Sequence, residues 1–131
     1  MSTDPVSAGQ ARILFCHGSR DPAWRLPFER LVEEHRGRFP GCEVRLAFLE
    51  FMSPSLGDTI DELAGAGCGV IRIEPMFLAP GAHTRSDLPE LVTAARRRWP
   101  LLAISIAPSL LESPATRQAI IDSLEPLASG P

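Results

Sequence analysis

Residues 13–24 read ILFCHGSRDPAW, and this stretch decides the fold. An apolar run ends at Cys16 and passes directly into the polar sequence His17-Gly18-Ser19-Arg20. A short, continuous apolar run is typical of a strand buried on both faces of a parallel sheet. Residues that follow such strands are where open α/β sheets bind their ligands. We therefore predict a strand over Ala11–Cys16 with a functional cluster at its carboxyl end.

The rest of the chain alternates between the two kinds of element. Further strands are predicted over Glu43–Glu50, Gly69–Leu78 and Leu101–Ala107. Helical spacing and capping residues predict helices over Leu26–Phe39, from Ser55, over about Ser86–Trp99, and from Ser113-Pro114. Strands that alternate with single helices pair in parallel. We expect one doubly wound α/β domain with a four-stranded parallel sheet (βαβαβαβα) over residues 11–131, after a flexible leader at residues 1–10.

Two helical faces carry specific expectations. His35 lies on the apolar stripe of the first helix, where packing is its expected role. The last helix is expected to bury four apolar side chains: Ile120, Ile121, Leu124 and Leu127.

Composition narrows the classes of function. The chain has 131 residues, of which 44% are hydrophobic and 22% charged, and its net charge is −3. A weakly acidic chain is a poor nucleic-acid binder, and no apolar run reaches the roughly 18 residues of a membrane span. Three cysteines, none in a CxxC arrangement, suggest reduced core thiols rather than a metal site. We expect a cytoplasmic protein without membrane or nucleic-acid partners.

All 13 basic residues are arginines. Genomic composition bias is the simpler explanation, but a planar guanidinium also suits the binding of carboxylates. The run Arg96-Arg97-Arg98 is expected to be a solvated helix end, where the helix dipole favours cations.

The predicted carboxyl edge of the sheet gathers candidate metal ligands. His17 follows the first strand, Glu50 ends the second, and His83 follows the third. Imidazole and carboxylate together suit divalent first-row metals, and three ligands leave coordination positions open. Taken singly, each histidine is equally well a loop residue with a backbone partner, and Glu50 alone is more simply a solvated carboxylate.

The same edge carries candidate substrate-binding residues. Arg20 and Arg85 each stand near one of the histidines and can hold carboxylates bidentately. Ser19 lies near a helix start, where backbone N–H groups favour anions. Gly18 and Gly81 give the backbone room to approach a large ligand.

Three ordered segments carry a resemblance to a known family. HGSRDP follows the first strand, FLEFMSPSL surrounds the end of the second, and PMFLAPGAHTRSDLPEL follows the third. Together they resemble the small sirohydrochlorin chelatases, which are the CbiX-type cobaltochelatases and their ferrochelatase relatives of class II. The similarity runs from about Ile13 to Ala107, and its third segment is the most specific.

The resemblance implies a function. Members of this family insert a divalent metal ion (Co²⁺, Fe²⁺ or Ni²⁺) into sirohydrochlorin, a tetrapyrrole with eight carboxylates, without nucleotide hydrolysis. The product leads to cobalamin, sirohaem or a nickel tetrapyrrole. The two active-site histidines of the family correspond to His17 and His83, and its acidic residue to Glu50. The resemblance also implies a homodimer and no permanently bound cofactor, because the metal is a substrate.

The sequence departs from the family pattern at two places. Cys16 stands where a small apolar residue is usual, and alternation along the strand points its side chain into the core. Arg72 and Glu74 interrupt a strand that is usually apolar, so we expect them to pair on one face, which then is incompletely covered or forms a subunit contact.

Other functions remain open at this point. A non-catalytic carrier of metal or tetrapyrrole would share the same site. A histidine phosphatase places arginine directly before its histidine, where this chain has Cys16. An α/β-hydrolase is the weakest alternative, because the chain contains no G-x-S-x-G motif.

Overall fold

A computed structural model describes residues 9–128, except for the side chains of residues 82–85. Its strands are β1 (Gln10–Cys16), β2 (Glu43–Phe48), β3 (Val70–Pro75) and β4 (Ala103–Ile106). Its α-helices are α1 (Leu26–Arg38), α2 (Leu56–Gly65), α3 (Ala82–Arg98) and α4 (Pro114–Ser123). Short 3-10 helices at Pro22–Arg25 and Leu110–Glu112 precede α1 and α4. The predicted βαβαβαβα order is confirmed.

The four strands form one parallel sheet in the order β2-β1-β3-β4. β1 therefore lies in the interior, with β2 on one side and β3 on the other. The chain leaves β1 in one direction along the sheet and later returns to its other side, which creates a switch point beside β1. Ligands of open α/β sheets bind outside the carboxyl ends of strands at such a point. The residues that follow β1, β2 and β3 therefore meet at one edge.

The two faces of the sheet are packed unequally. On one face, α2 and α3 cover the main core, which includes Ile13 and Phe15 of β1 and Ile71 and Ile73 of β3. On the other face, the buried cluster is small and consists of Leu14, Val32 and Val44. Alternation of side chains along β1 explains the division, because consecutive residues point to opposite faces.

Helix capping follows the sequence closely. The Ser55 hydroxyl accepts a hydrogen bond from the Asp58 N–H at 3.2 Å, and the Ser113 hydroxyl accepts one from Thr116 at 3.3 Å. Both serines were predicted as N-caps, and both begin their helices as expected.

The third helix begins earlier than predicted, at Ala82 rather than near Ser86. Proline is best tolerated in the first turn of a helix, and Pro89 would lie in the first turn of the predicted helix. In the structure α3 instead extends one turn further back, and Pro89 lies inside it. His83 and Arg85 consequently belong to the first turn of a helix rather than to a loop.

The predicted burial of the last helix is wrong. Ile121 is 60% exposed and Leu127 is 95% exposed, while Ile120 and Leu124 are also exposed. α4 ends at Ser123, so Leu124 and Leu127 lie beyond it. Its main contacts are with the neighbouring 3-10 helix. In the described part of the chain, no helix is both long and apolar enough to cross a bilayer.

Candidate active site

The segments that follow β1 and β2 are joined backbone to backbone. The Leu49 N–H donates to the Cys16 carbonyl at 2.9 Å, and the Glu50 N–H donates to the His17 carbonyl at 3.1 Å. These bonds continue the parallel ladder past the strand ends. His17 and Glu50, which are 33 residues apart in sequence, are therefore held side by side.

Gly18 is required by this close approach. Its φ of +95° lies in the region that side-chain-bearing residues rarely adopt, and a Cβ added there would lie 1.8 Å from the Glu50 carbonyl oxygen. We expected Gly18 to leave room for a ligand. In the structure, the protein's own backbone occupies that room, so the glycine fixes the loop that carries His17.

His17 is exposed at the end of a buried strand. Its ring packs edge-on against Phe77, with 6.2 Å between the ring centroids. Its Nδ1 lies 3.3 Å from the Gly18 carbonyl oxygen. A carbonyl can only accept a hydrogen bond, so this contact assigns the proton to Nδ1 and leaves the Nε2 lone pair available to a metal ion.

Glu50 and Arg20 flank this histidine. Both side chains are exposed, and neither has a hydrogen bond or ion pair within the described residues. The Arg20 guanidinium instead lies over the ring of Phe51, 4.5 Å from its centroid. We refer to His17, Arg20 and Glu50 as the edge cluster.

Ser19 has a local role in the turn. Its hydroxyl accepts a hydrogen bond from the Asp21 N–H at 3.0 Å, and the Asp21 carboxylate accepts one from Ala23 at 3.0 Å. These two bonds guide the chain into the 3-10 helix. The Ser19 hydroxyl proton is not used by them, so the residue keeps a donor for a ligand.

Cys16 lies beneath the edge cluster and faces the core, as predicted. It is fully buried, and burial raises the pKa of its thiol to about 12. Metal binding requires the thiolate, so Cys16 is a packing residue. Cys42 and Cys68 are partly buried free thiols.

The third part of the predicted site lies at the start of α3. Gly81 is exposed and immediately precedes this helix, whose first turn contains His83 and Arg85. β3 is the direct neighbour of β1, and the Met76 N–H donates to the Phe15 carbonyl at 2.8 Å, which ties the two strand ends together. The side chains of His83 and Arg85 lie outside the described residues. Among the side chains that are described, no group of three potential metal ligands occurs.

Two aromatic residues at this edge were not predicted from the sequence. Phe77 contacts both His17 and Phe15, with 5.6 Å between the phenylalanine centroids. Phe51 stands next to Glu50 with a φ of +66° and an exposure of 54%. Phe77 lies in an apolar run that was predicted to be strand. For Phe51, the one available signal in the sequence was its position directly after the candidate acid Glu50.

Comparison with known proteins gives a consistent result. The sequence model of the CbiX family matches residues 11–127. The sirohydrochlorin cobaltochelatase of Methanococcus maripaludis is 32% identical over 83 residues, and that of Methanopyrus kandleri is 36% identical over 84 residues. Each alignment covers 63% of this chain and 58% or 57% of the relative. The chain thus spans less than two thirds of the relatives that it matches.

Solved structures share the fold. A CbiX protein from Marinobacter aquaeolei VT8 superposes with a TM-score of 0.74 and 29% identity, covering 86% of this chain and 92% of that one. The sirohydrochlorin chelatase SirB from Bacillus subtilis subspecies spizizenii, in complex with cobalt, gives a TM-score of 0.67 and 26% identity over 76% of this chain and 43% of SirB. The family match spans the sheet and the whole polar edge, and the chain therefore belongs to the CbiX family.

Proposed function

We propose that this protein inserts a divalent metal ion into sirohydrochlorin. The observation that carries the proposal is the edge cluster itself. An exposed imidazole and an exposed carboxylate are held side by side at the carboxyl edge of a CbiX-family sheet, where the imidazole follows the strand that borders the switch point. The relatives named sirohydrochlorin cobaltochelatase support the same substrate.

His17 and His83 act as the metal ligands in this proposal. The Nδ1 contact of His17 with Gly18 leaves Nε2 free to coordinate. His83 belongs to the first turn of α3, which follows the strand next to β1. Two imidazoles leave most coordination positions open, which lets the ion pass to the pyrrole nitrogens of the substrate.

Glu50 supplies the base or completes the metal site. Metal insertion releases the two pyrrole N–H protons, and a carboxylate within reach of the ring nitrogens can accept one. Its exposed position and its lack of a cationic partner among the described side chains suit that role. The hydrogen bond from the Glu50 N–H to the His17 carbonyl holds the backbones of the two residues together.

The remaining residues of the edge bind the substrate. Arg20 and Arg85 hold peripheral carboxylates, and Ser19 donates a weaker hydrogen bond. Gly18 acts through the loop that it fixes, and Gly81 keeps the approach to α3 open. The first turn of a helix leaves backbone N–H groups without partners inside the helix, and these favour the same carboxylates.

The metal is Co²⁺ or Fe²⁺, with Ni²⁺ as a third possibility. All three accept imidazole and carboxylate ligands, and availability often decides among them. The reaction needs no nucleotide and no permanently bound cofactor. Its product enters the synthesis of cobalamin or sirohaem.

Assembly and location complete the proposal. The chain aligns with 43% of the longer SirB chain but with 92% of a CbiX protein of similar size. Two copies of the domain would supply the equivalent of the longer chain, so we propose a homodimer, which light scattering tests. Three free thiols support a reducing, cytoplasmic location.

A metallation assay tests the function. The purified protein is mixed with sirohydrochlorin and Co²⁺ or Fe²⁺, and the change in absorbance is followed against a protein-free control. We expect acceleration with at least one metal and no effect of added ATP. Tight binding of metal or tetrapyrrole without acceleration, with Ni²⁺ also tested, would indicate a carrier instead.

A further inference from the structure

Two phenylalanines near Glu50 contrast sharply in their surroundings. Phe48 is buried at the end of β2 beneath Arg25, whose guanidinium carbon lies 4.9 Å from the ring centroid. Phe51 lies beneath Arg20, with 4.5 Å between the guanidinium carbon and the ring centroid, but the residue is 54% exposed. The first pair belongs to the packing of the domain. The second places an exposed aromatic ring against the guanidinium of the edge cluster.

The backbone at Phe51 is unfavourable for this residue type. Its φ of +66° is strained for any residue with a bulky side chain, and strained positions persist at functional sites. Burial of the ring does not offset the strain, because much of the ring is in water. The loop nevertheless holds its place, since Glu50 is hydrogen-bonded to His17. The backbone that carries the ring is therefore tied to the loop of His17, and the ring itself contacts Arg20.

Arg20 remains able to bind a ligand while it contacts Phe51. Contact with the face of a ring leaves the N–H donors of a guanidinium unused. Within the described part of the chain, Arg20 has no hydrogen bond or ion pair. The aromatic contact also limits where the guanidinium can move, and this lowers the entropy cost of binding a carboxylate.

We propose that Phe51 and Arg20 form a substrate-positioning pair, in which the ring contacts the edge of the macrocycle and holds the guanidinium against one of its peripheral carboxylates. This inference rests on the proposed function. The chemistry fits a flat apolar ligand that carries anionic groups at its rim, because an apolar surface and a cation lie 4.5 Å apart. The pair selects carboxylate-rich tetrapyrroles and takes no part in the chemical step.

Kinetics of Phe51→Leu and Arg20→Gln test the pair. We expect each variant to raise the KM for sirohydrochlorin by roughly five- to tenfold, as loss of a cation–π or ionic contact would, while kcat stays within about twofold. Because the two residues act as one unit, the double variant should resemble the single variants. Arg20→Lys should recover part of the loss. The Kd of the metal-free tetrapyrrole, measured by its fluorescence, should rise by the same factors.

The chain offers a matched control at the opposite edge of the sheet. Phe39 is 46% exposed beneath Arg38, at 5.6 Å from the ring centroid. Phe39→Leu and Arg38→Gln remove the same chemistry from a place remote from the edge cluster. They should leave both KM and kcat unchanged.

A glycine variant separates binding from folding. Phe51→Gly relieves the backbone strain, so its melting temperature should equal or exceed that of the wild type while its KM rises as in Phe51→Leu. An unchanged KM in Phe51→Leu and Phe51→Gly, in a wild-type background that accelerates metallation, would overturn the pair. No acceleration by the wild type would instead overturn the proposed function.

Discussion

Two clusters in this protein contain the same residue types but differ in what surrounds them. The edge cluster holds His17, Arg20 and Glu50 at the carboxyl end of the sheet. The second cluster, which we call the face cluster, lies on the sheet face covered by α1. Its members are Arg12, His35, Arg72 and Glu74.

The face cluster binds its own members. Arg12 lies 3.0 Å from the Glu74 carboxylate, and Arg72 approaches the same carboxylate at 3.2 Å. Arg12 also donates to Nε2 of His35 at 2.7 Å, so the remaining proton of that ring is on Nδ1. The predicted pairing of Arg72 with Glu74 is confirmed, and the packing role expected for His35 agrees with its partly buried place beside Arg12 and Phe39.

The edge cluster has few internal partners by comparison. Among the described residues, its imidazole contacts a carbonyl and a ring, its guanidinium contacts a ring, and its carboxylate contacts no charged group. The charged groups of the face cluster pair with one another, although Arg12 Nε and His35 Nδ1 are buried without a hydrogen-bond partner among the described residues. The two clusters therefore differ in the pairing of their charged groups rather than in residue type.

The largest expected effect comes from replacing a histidine of the edge cluster, compared with the same replacement in the face cluster. His17→Ala should lower the metallation rate by more than about a hundredfold, because it removes a metal ligand. His35→Ala should leave the rate within about twofold. Initial rates with saturating sirohydrochlorin measure both, and equal losses in the two variants would show that the clusters do not differ as described.

The two carboxylates give a second contrast. Glu50→Gln should slow metallation by about a hundredfold through loss of a proton acceptor, with little change in stability. Glu74→Gln should leave the rate unchanged but lower the free energy of unfolding by about 1 kcal/mol, because Arg12 and Arg72 lose their shared partner. Denaturant melts and rates measured on the same preparations check both statements. A slower rate in Glu74→Gln together with an unchanged rate in Glu50→Gln would refute them.

A comparison of two glycines with similar backbone conformations tests the close approach of Gly18 to Glu50. Gly18 and Gly67 have φ values of +95° and +100°, but nothing lies within 4 Å of a Cβ added at Gly67. Gly67→Ala therefore incurs backbone strain alone. Gly18→Ala incurs the same strain and a clash with Glu50, so it should lose roughly 2 kcal/mol more stability. If denaturant melts show equal losses of stability in the two variants, the loop accommodates the added methyl group without an energetic penalty.

The smallest expected effect concerns pH. Desolvation, reinforced by the positive charge of Arg12, lowers the pKa of His35 below its ordinary value, although Glu74 opposes this. The folded protein then binds this proton less readily than the unfolded chain. The stability that depends on neutral His35 is fully present above the unfolded pKa near 6.5 and is lost as the pH falls through the lower folded pKa. His35→Gln should weaken this dependence in melts between pH 7 and 5. If the pH dependence of stability is unchanged in this variant, other titratable groups are responsible for it.

Local sequence patterns predicted the parts of the fold that depend on local chemistry. The apolar run before His17, the serine caps and the alternation of strands and helices each have a short-range cause, and they placed His17 and Glu50 at one edge. The apolar side of α4 had the expected spacing, but spacing does not reveal what covers a face, and Ile121 proved to be exposed. The close approach of Gly18 to Glu50 joins two loops distant in sequence, so local patterns could not predict it.

The central claim is that the imidazole of His17 receives the metal ion through Nε2. Nuclear magnetic resonance of the histidine ring nitrogens during titration with Zn²⁺, a diamagnetic divalent probe, tests this most directly. The account predicts that the Nε2 signal of His17 shifts on metal binding while its Nδ1 stays protonated, and that the His35 ring is unaffected. A shift of the His35 signals with no change at His17 would contradict it.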